Sequence, residues 1–196
     1  MRDLTRTLKA NLATYPGDPP WAAQVYQSLD QGALVSWLSM GAHAGTHLDS
    51  PAHVLANAPG IQDFPLELAL GTALVIATTG QVFGPEVLPA GPLPERVLFK
   101  TGSWPQSEIF NPDYSAPSPA LASELVRRGV RLIGIDTPSV DPYQAAGLPV
   151  HQILARANCW NLEGLELSQV EPGTYQIVVL PLRLELEASP VRALLL

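Results

Sequence analysis

Several residue types are scarce in this chain of 196 residues, and each shortage argues against a class of protein. The one cysteine, Cys159, cannot form an internal disulfide, so nothing in the sequence requires an oxidising compartment. The only lysines are Lys9 and Lys100 and the net charge is −7, which disfavours the clustered basic surface that binds nucleic acid or anionic membranes. No stretch approaches the roughly 18 uninterrupted apolar residues of a membrane helix. We therefore expect neither nucleic-acid nor membrane binding.

Charged residues are also few: they make up 15% of the chain, against about 25% in an average globular protein. Hydrophobic residues make up 46%, enough for a core and for an apolar surface between subunits, so a homo-oligomer is expected. The length fits a single domain over residues 1–196. Residues 1–15 mix charged and apolar side chains, unlike a signal peptide, so we expect a cytoplasmic protein.

The secondary-structure pattern predicts a mixed α/β fold with many loops, in which 20 prolines are dispersed. One helix is predicted over Ala120–Arg128, because Ser118 is a suitable N-cap, Pro119 suits the first helical position and Gly129 suits the stop. A second helix is predicted over Val150–Ala157. The first helix and its flanking strands form a predicted β-α-β unit. Strands are predicted at Ala33–Met40, Thr72–Thr78, Arg96–Lys100, Val130–Ile135 and Tyr175–Leu180.

Three of the four histidines lie close together, with an aspartate between them. They are His43, His47 and His53, and the aspartate is Asp49. Imidazole and carboxylate groups are the ligands of Zn²⁺, Mn²⁺ and Fe²⁺ in catalytic sites that leave a position open for water. A surface loop would explain any one of these histidines, but the four residues together favour a metal site.

The spacing of these residues predicts a bend. In an extended chain, positions 43, 47, 49 and 53 all point to one side, but four residues span about 13 Å, too far for His43 and His47 to bind the same ion. Thr46 and Pro51 oppose a continuous helix. We therefore expect the chain to turn at Gly45.

This histidine run resembles the signature of the cyclase-like metal-dependent hydrolases, whose pattern is His, Gly-Thr-His, Asp, Pro, His at the same spacing. Other stretches resemble the bacterial kynurenine formamidase (arylformamidase) branch of that family, so the resemblance covers essentially the whole chain. These stretches are YPGD at 15–18, GVRLIGIDTPS at 129–139, LEGL at 162–165, LPL at 180–182 and ASPVR at 188–192.

The resemblance implies an α/β fold of the swivelling β/β/α type, with a barrel-like mixed β-sheet flanked by helices, in a homodimer. It also implies two Zn²⁺ ions per subunit, with Mn²⁺ as an alternative, and hydrolysis of a small aromatic formamide, N-formyl-L-kynurenine, to L-kynurenine and formate. The implied ligands are His43, His47 and Asp49 for one ion, and Asp49, His151 and Glu163 for the other. His53 is the implied general acid/base.

Alternatives remain open for the ligands and for the activity. From spacing alone the pair His151 and Glu163 is a weak signal, and only the family pattern favours Glu163 over Glu166. A relative with a single Mn²⁺ that hydrolyses a cyclic amide such as isatin would share the same ligands. A non-catalytic metal-binding relative would share them too.

Acidic residues after the predicted strand Val130–Ile135 form a further candidate group. Asp136 could orient a metal-bound histidine or cap a turn, and for Asp141 a turn role is favoured.

Aromatic residues form the last candidate group. In the Pro-rich loop, Trp21 or Tyr15 could bind a flat substrate, and Trp21 is the predicted substrate-binding residue. A loop packed at the edge of a dimer is an equally favoured alternative. Trp37, Trp104 and Trp160 could also line a pocket, and Cys159 could be a metal ligand or a nucleophile, but burial in the core is favoured for all four.

Overall fold

The computed structural model describes residues 1–196, which form twelve strands and two α-helices. The first six strands are β1 (Arg2–Asp3), β2 (Ala22–Gln27), β3 (Val35–Ser39), β4 (His47–Asp49), β5 (Leu70–Ala77) and β6 (Val82–Phe83). The others are β7 (Arg96–Lys100), β8 (Ala116–Pro117), β9 (Leu132–Ile135), β10 (Trp160–Glu163), β11 (Gly173–Pro181) and β12 (Ala188–Leu195). The helices are α1 (Pro119–Arg127) and α2 (Pro149–Arg156), and neither they nor the short 3₁₀ helices have the length and apolar character to cross a membrane.

Seven of the strands form a sheet that closes on itself. Their order is β12-β11-β5-β7-β9-β10-β4, and β4 then pairs with β12, where Asp49 lies opposite Ala188. Strands β5, β7, β9 and β10 run parallel to one another, and the remaining pairs are antiparallel. Closure satisfies the backbone of the short strand β4 on both edges. The predicted barrel-like mixed sheet flanked by helices is confirmed.

Two apolar clusters lie on the two faces of this sheet. Along β7, Leu98 belongs to the cluster inside the barrel, whereas Val97 and Phe99 belong to the cluster that includes residues of both helices. Alternation along a strand produces this division, because successive side chains point to opposite faces. The barrel interior and the helical layer therefore share one sheet as their common wall.

The first helix begins and ends as its sequence predicts. The Ser118 Oγ accepts a hydrogen bond from the backbone N–H of Leu121, Pro119 is the first helical residue, and Gly129 has a φ of +81°. The second predicted helix is confirmed as α2. Strands β7 and β9 flank α1 and pair in parallel, so the β-α-β unit is confirmed.

The five predicted strands are all present as β3, β5, β7, β9 and β11, but one expectation about β3 is wrong. Trp37 is 51% exposed rather than buried in the core. The reason is that β3 pairs only with β2, in a hairpin outside the barrel whose residues lie at the surface. Trp104 and Cys159, by contrast, are buried as expected.

Candidate metal centre

The backbone turn predicted at Gly45 is present and orients the strand that follows it. Gly45 has a φ of +68°, and the chain then extends through β4. Within β4, Leu48 is fully buried in the barrel core, so His47 and Asp49 point to the opposite face. Both side chains are nevertheless only 2–4% exposed, because other elements cover that face.

Strand β10 brings a second carboxylate to the same place. Glu163 pairs with His47 across the two strands, and its Oε2 lies 3.4 Å from His47 Nε2. Immediately afterwards, Gly164 turns the chain with a φ of +67°, and a Cβ there would lie 2.3 Å from the carbonyl oxygen of Gly45. Glycine at position 164 therefore lets the two ligand-bearing segments pack backbone to backbone.

Helix α2 contributes the fourth histidine of the chain. The Nε2 atom of His151 lies 3.5 Å from Asp49 Oδ2 and 3.2 Å from Glu163 Oε1. Its other ring nitrogen, Nδ1, is 2.7 Å from an oxygen of Asp141, a fully buried residue. The preference for Asp141 as only a turn residue is therefore wrong.

Asp136 stabilises a loop rather than orienting a histidine. Its carboxylate accepts hydrogen bonds from the backbone N–H groups of Thr101 and Gly102, at 2.9–3.0 Å, and from the Thr101 hydroxyl at 2.6 Å. It forms no hydrogen bond with a histidine. Asp136 therefore holds the loop after β7.

The remaining two histidines complete the cluster. His43 Nδ1 lies 2.9 Å from Asp49 Oδ1, and the ring of His53, in a 3₁₀ helix after β4, is 4.4 Å from that of His43 and 5.3 Å from that of His151. The six residues predicted to bind metal or to catalyse the reaction thus meet in one place, and Trp21 is not among them. Two groups of three residues have potential ligand atoms within 4.8 Å of one another. One group is His43, Asp49 and His53, the other is His47, Asp49 and Glu163, and Asp49 belongs to both.

The arrangement fits a bound divalent cation. His47 Nε2 and both carboxylate oxygens of Asp49 are buried without a hydrogen-bond partner, although neighbouring ligand atoms are close. A tetrahedral ion with ligand distances of about 2.1 Å separates its ligands by about 3.4 Å, and His47 Nε2 lies 3.4 Å from both Asp49 Oδ1 and Glu163 Oε2. Buried polar atoms without partners are otherwise destabilising. Imidazole and carboxylate donors suit Zn²⁺ or Mn²⁺.

The charges of the cluster compensate one another. Burial raises the pKa of the Asp49 carboxyl, but the nearby imidazoles of His43 and His47 more than offset this and hold it well below its usual value. Burial and the Asp49 charge raise the pKa of Glu163, and its contacts with His151 and His47 lower it below the ordinary value. Both carboxyl groups are therefore anionic near neutral pH and attract cations.

The histidines respond in opposite directions. Burial lowers the pKa of His43, but Asp49 and more distant carboxylates outweigh burial and raise it to about 9. The pKa of His151 is likewise raised, since its contacts with Asp141, Asp49 and Glu163 exceed the effect of burial. For His53, burial and the charges of His43 and His151 lower the pKa. Without metal, the protonated rings of His43 and His151 neutralise the carboxylates. A bound cation would displace the protons from these two rings.

The cluster opens into a cavity of about 480 Å³. Its wall includes two aromatic side chains, Tyr15 and Trp104, but not Trp21. Tyr15 itself packs against Phe110 and Tyr143, with ring centroids 5.4 and 5.8 Å apart. Two aromatic side chains and the candidate metal ligands therefore line the same cavity.

Arg6 is a buried residue of the site region that the sequence analysis missed. Its guanidinium lies 4.4 Å from the Trp104 ring, and its backbone N–H donates to the Thr46 hydroxyl. The guanidinium donates hydrogen bonds to the carbonyl oxygens of Trp104, Asp136, Gly164 and Leu165. These carbonyls follow the parallel strands β7, β9 and β10, so Arg6 joins their carboxyl ends. No local pattern distinguishes it from a surface arginine.

Residues 2–142 match the family model described as "Putative cyclase". The chain is 38% identical over 202 residues to the kynurenine formamidase of Bordetella avium, with 98% of this chain and 96% of the relative covered. It is 36% identical over 204 residues to the kynurenine formamidase of Salinibacter ruber, covering 98% and 95% of the two chains.

Solved structures show the same fold. A potential metal-dependent hydrolase with cyclase activity aligns with a TM-score of 0.87 and 24% identity, covering 99% of this chain and 96% of its own. Isatin hydrolase A from Labrenzia aggregata aligns with a TM-score of 0.88 and 22% identity, covering 99% and 92%. The match to the family model over residues 2–142 shows that the chain belongs to the cyclase family, and the 36–38% identity over nearly its whole length relates it to the kynurenine formamidases.

Proposed function

We propose that this protein is an arylformamidase, an amide hydrolase that converts N-formyl-L-kynurenine to L-kynurenine and formate. The observation that carries the proposal is the buried cluster of histidines and carboxylates, with unpartnered ligand atoms, in the wall of a cavity that Tyr15 and Trp104 also line. We infer the substrate from the kynurenine formamidases, which the chain resembles over nearly its whole length. The reaction is a step in tryptophan breakdown.

The residues present would hold two divalent ions, which we propose to be zinc. When bound, such ions lower the pKa of a water molecule and polarise a carbonyl oxygen. The proposed ligands are His43, His47 and Asp49 for one ion, and Asp49, His151 and Glu163 for the other. Asp49 is suited to the shared position, because its two oxygens face different histidines: Oδ1 lies near His43 and His47, and Oδ2 near His151.

His53 is the proposed general acid/base. Its ring lines the cavity between His43 and His151, where it can reach a bound substrate. It would accept a proton from the attacking water and return it to the aryl amine as the C–N bond breaks, because an anilide anion is a poor leaving group. A ring nitrogen of His53 is also within 4.8 Å of the potential ligand atoms of His43 and Asp49, so His53 could bind the metal instead. Its role therefore needs a test that separates catalysis from metal binding.

The aromatic part of the substrate would lie against Tyr15 and Trp104, the aromatic residues of the cavity wall. Trp21 is not among the residues that line the cavity. Its predicted role in substrate binding stays a prediction. Trp21 directly precedes β2, the first strand of the exposed hairpin.

The direct test is hydrolysis of N-formyl-L-kynurenine, followed by the appearance of kynurenine and formate. One preparation is assayed as isolated, after chelation, and after addition of Zn²⁺ or Mn²⁺, with isatin in parallel. Activity that is lost on chelation and regained with metal supports the proposal. Turnover of isatin alone would identify a cyclic-amide hydrolase, and metal binding without any turnover would indicate a non-catalytic relative.

We also propose a homodimer formed through the β2–β3 hairpin. The hairpin stands outside the barrel, and a two-stranded sheet by itself is only marginally stable in water. It carries exposed apolar side chains on both strands and their connection: Val25, Tyr26, Leu29, Leu34, Val35, Trp37 and Leu38. Such a surface supports burial against a second copy. The flanking residues Pro19 and Gly41 line the cavity, so this contact would border the active site.

A cytoplasmic location completes the proposal. It is supported by the single thiol, Cys159, which is buried and free. Burial raises the pKa of this thiol to about 12, so it is protonated and unreactive at neutral pH. Cell fractionation with antibody detection tests the location.

A further inference from the structure

The segment of residues 137–141, which follows β9, contacts two of the candidate metal ligands. The backbone N–H of Val140 donates to Glu163 Oε1 at 2.9 Å. The next residue, Asp141, binds the ring of His151 through its carboxylate. One short segment therefore fixes a carboxylate from β10 and an imidazole from α2.

Asp141 is fully buried, and its carboxylate has three N–H neighbours. Oδ1 accepts from the backbone of Val150 at 2.9 Å, and Oδ2 accepts from the backbone of His151 at 3.0 Å. Oδ2 is also 2.7 Å from His151 Nδ1. An ionised carboxylate is only an acceptor, so Nδ1 carries the hydrogen of this bond. In a neutral ring, the lone pair is then on Nε2, the atom that faces Asp49 and Glu163.

The same contacts replace the usual cap of α2. The residue before the helix, Leu148, has a φ of +48° and provides no side-chain cap, so the first N–H groups of α2 depend on Asp141. Asp141 is itself held by Tyr114, whose buried hydroxyl donates to the Asp141 carbonyl at 2.8 Å, and by Ser139, whose Oγ accepts from the Asp141 N–H. The carboxylate therefore cannot move without disturbing the start of α2.

We infer that Asp141 is a positioning residue for His151. It fixes the tautomer and the direction of the ring so that Nε2 is free to bind a cation, while the neighbouring Val140 N–H fixes Glu163. The inference rests on the metal site of the proposed function. When a metal-binding histidine donates its other ring N–H to a carboxylate, that hydrogen bond orients the ring and raises its basicity.

The test is Asp141→Asn, compared with Asp136→Asn. An amide nitrogen cannot accept a hydrogen bond, so the asparagine loses either the contact with the helix or that with Nδ1. Asp136→Asn is the matched control, because Asp136 is also buried and accepts backbone N–H groups, but has no hydrogen bond to a candidate ligand. Both variants are titrated with Zn²⁺ against a chromophoric chelator, which measures the affinity for each equivalent.

The expected result is a loss of about 10-fold to 100-fold in affinity for one of two zinc equivalents in Asp141→Asn, with no change in Asp136→Asn. Unchanged zinc affinity in Asp141→Asn, or an equal loss in the control, would overturn the inference. If the unsubstituted protein binds no zinc, the proposed metal site fails instead and the inference fails with it.

A second measurement needs no variant and covers the case in which Asp141→Asn does not fold. Long-range ¹H–¹⁵N NMR spectra of the zinc-loaded protein report which ring nitrogen of each histidine carries the proton, and His151→Gln identifies the signal. Protonated Nδ1 of His151 supports the inference, and protonated Nε2 overturns it.

Discussion

Glu163 lies directly across the β4–β10 pair from His47, and the two side chains meet with Oε2 and Nε2 3.4 Å apart. A cross-strand pair holds both groups to one face of the sheet, where neither can turn away without breaking the pairing. The residues are 116 positions apart in the sequence, so this contact depends entirely on the closed sheet.

Glu163→Gln tests the contribution of this carboxylate to metal binding. The amide keeps the shape but removes an anionic ligand, so metal affinity should fall by at least about 10²-fold, more than outer contacts of a metal site usually contribute. Metal content after dialysis is the measurement. Glu166→Gln is the control, because Glu166 is partly exposed and lies 3.7 Å from Arg6 rather than in the cluster. Equal metal content in both variants would contradict the assignment.

His53→Asn separates the catalytic role of this residue from metal binding. As a general acid/base, His53 should contribute about 10²-fold to 10⁴-fold to the rate, and its loss should lower kcat while both metal equivalents remain bound. Steady-state kinetics and metal analysis on the same sample decide the question. A variant that loses metal would show that His53 is a ligand, and one with normal kcat would show that it is neither.

The stability of the metal-free protein should decrease between pH 6.5 and pH 9. The pKa of His43 is raised from 6.5 to about 9 in the folded protein, so its protonated form contributes its full stabilisation below pH 6.5, and this contribution is lost as the pH rises through 9. The raised pKa of His151 acts in the same direction. Thermal unfolding after chelation measures the effect. His43→Gln should flatten the profile, and an unchanged slope in that variant would argue against the assignment.

Zinc affinity should change in the opposite sense over the same pH window. Cation binding requires deprotonated imidazoles at His43 and His151, so the apparent affinity should increase from pH 6.5 to pH 9. Competition with a chelator of known pH dependence measures it. A zinc affinity that does not change with pH would mean that metal binding does not displace protons from these histidines.

Gly164→Ala should destabilise the protein and disturb the metal site together. The left-handed backbone conformation is unfavourable for alanine, by about 1 to 3 kcal/mol for a strained residue, and the added Cβ would lie 2.3 Å from the Gly45 carbonyl oxygen. Separation of the two backbones would move Glu163 away from His47. Thermal unfolding and zinc titration should both change, whereas Gly91→Ala should affect only stability, because Gly91 also has a positive φ, +93°, but a Cβ there would contact nothing.

Substitution of the hairpin tests the proposed dimer. The double change Trp37→Ser and Leu38→Ser removes two exposed apolar side chains, so it should convert a dimer to a monomer without loss of barrel stability. Sedimentation velocity over a range of concentrations measures the change. Leu66→Ser is the control, because Leu66 is 73% exposed but lies in a 3₁₀ helix outside the hairpin. A wild-type monomer, or dimeric hairpin variants, would contradict the proposal.

Local patterns determined much of this structure. The caps of α1, the turn at Gly45 and the shared orientation of His47 and Asp49 depend on residues within a few positions of one another, and sequence alone predicted each of them. These features follow from φ preferences and from the two-residue period of a strand. The mixed α/β class follows in the same way.

The tertiary structure decided what these local pieces contact. The short strand β4 has too few residues to be predicted, and it is stabilised by pairing with β10 and β12 from the other end of the chain. That pairing brings Glu163 to His47 and leaves Glu166 outside the cluster. The contact of Asp141 with His151 comes instead from the segment after β9, which meets the start of α2. Trp37 lies outside the core, because β3 pairs with β2 alone. The contacts of Glu163 with β4 depend on closure of the sheet, which no neighbouring residues encode, and so only the folded chain determines them.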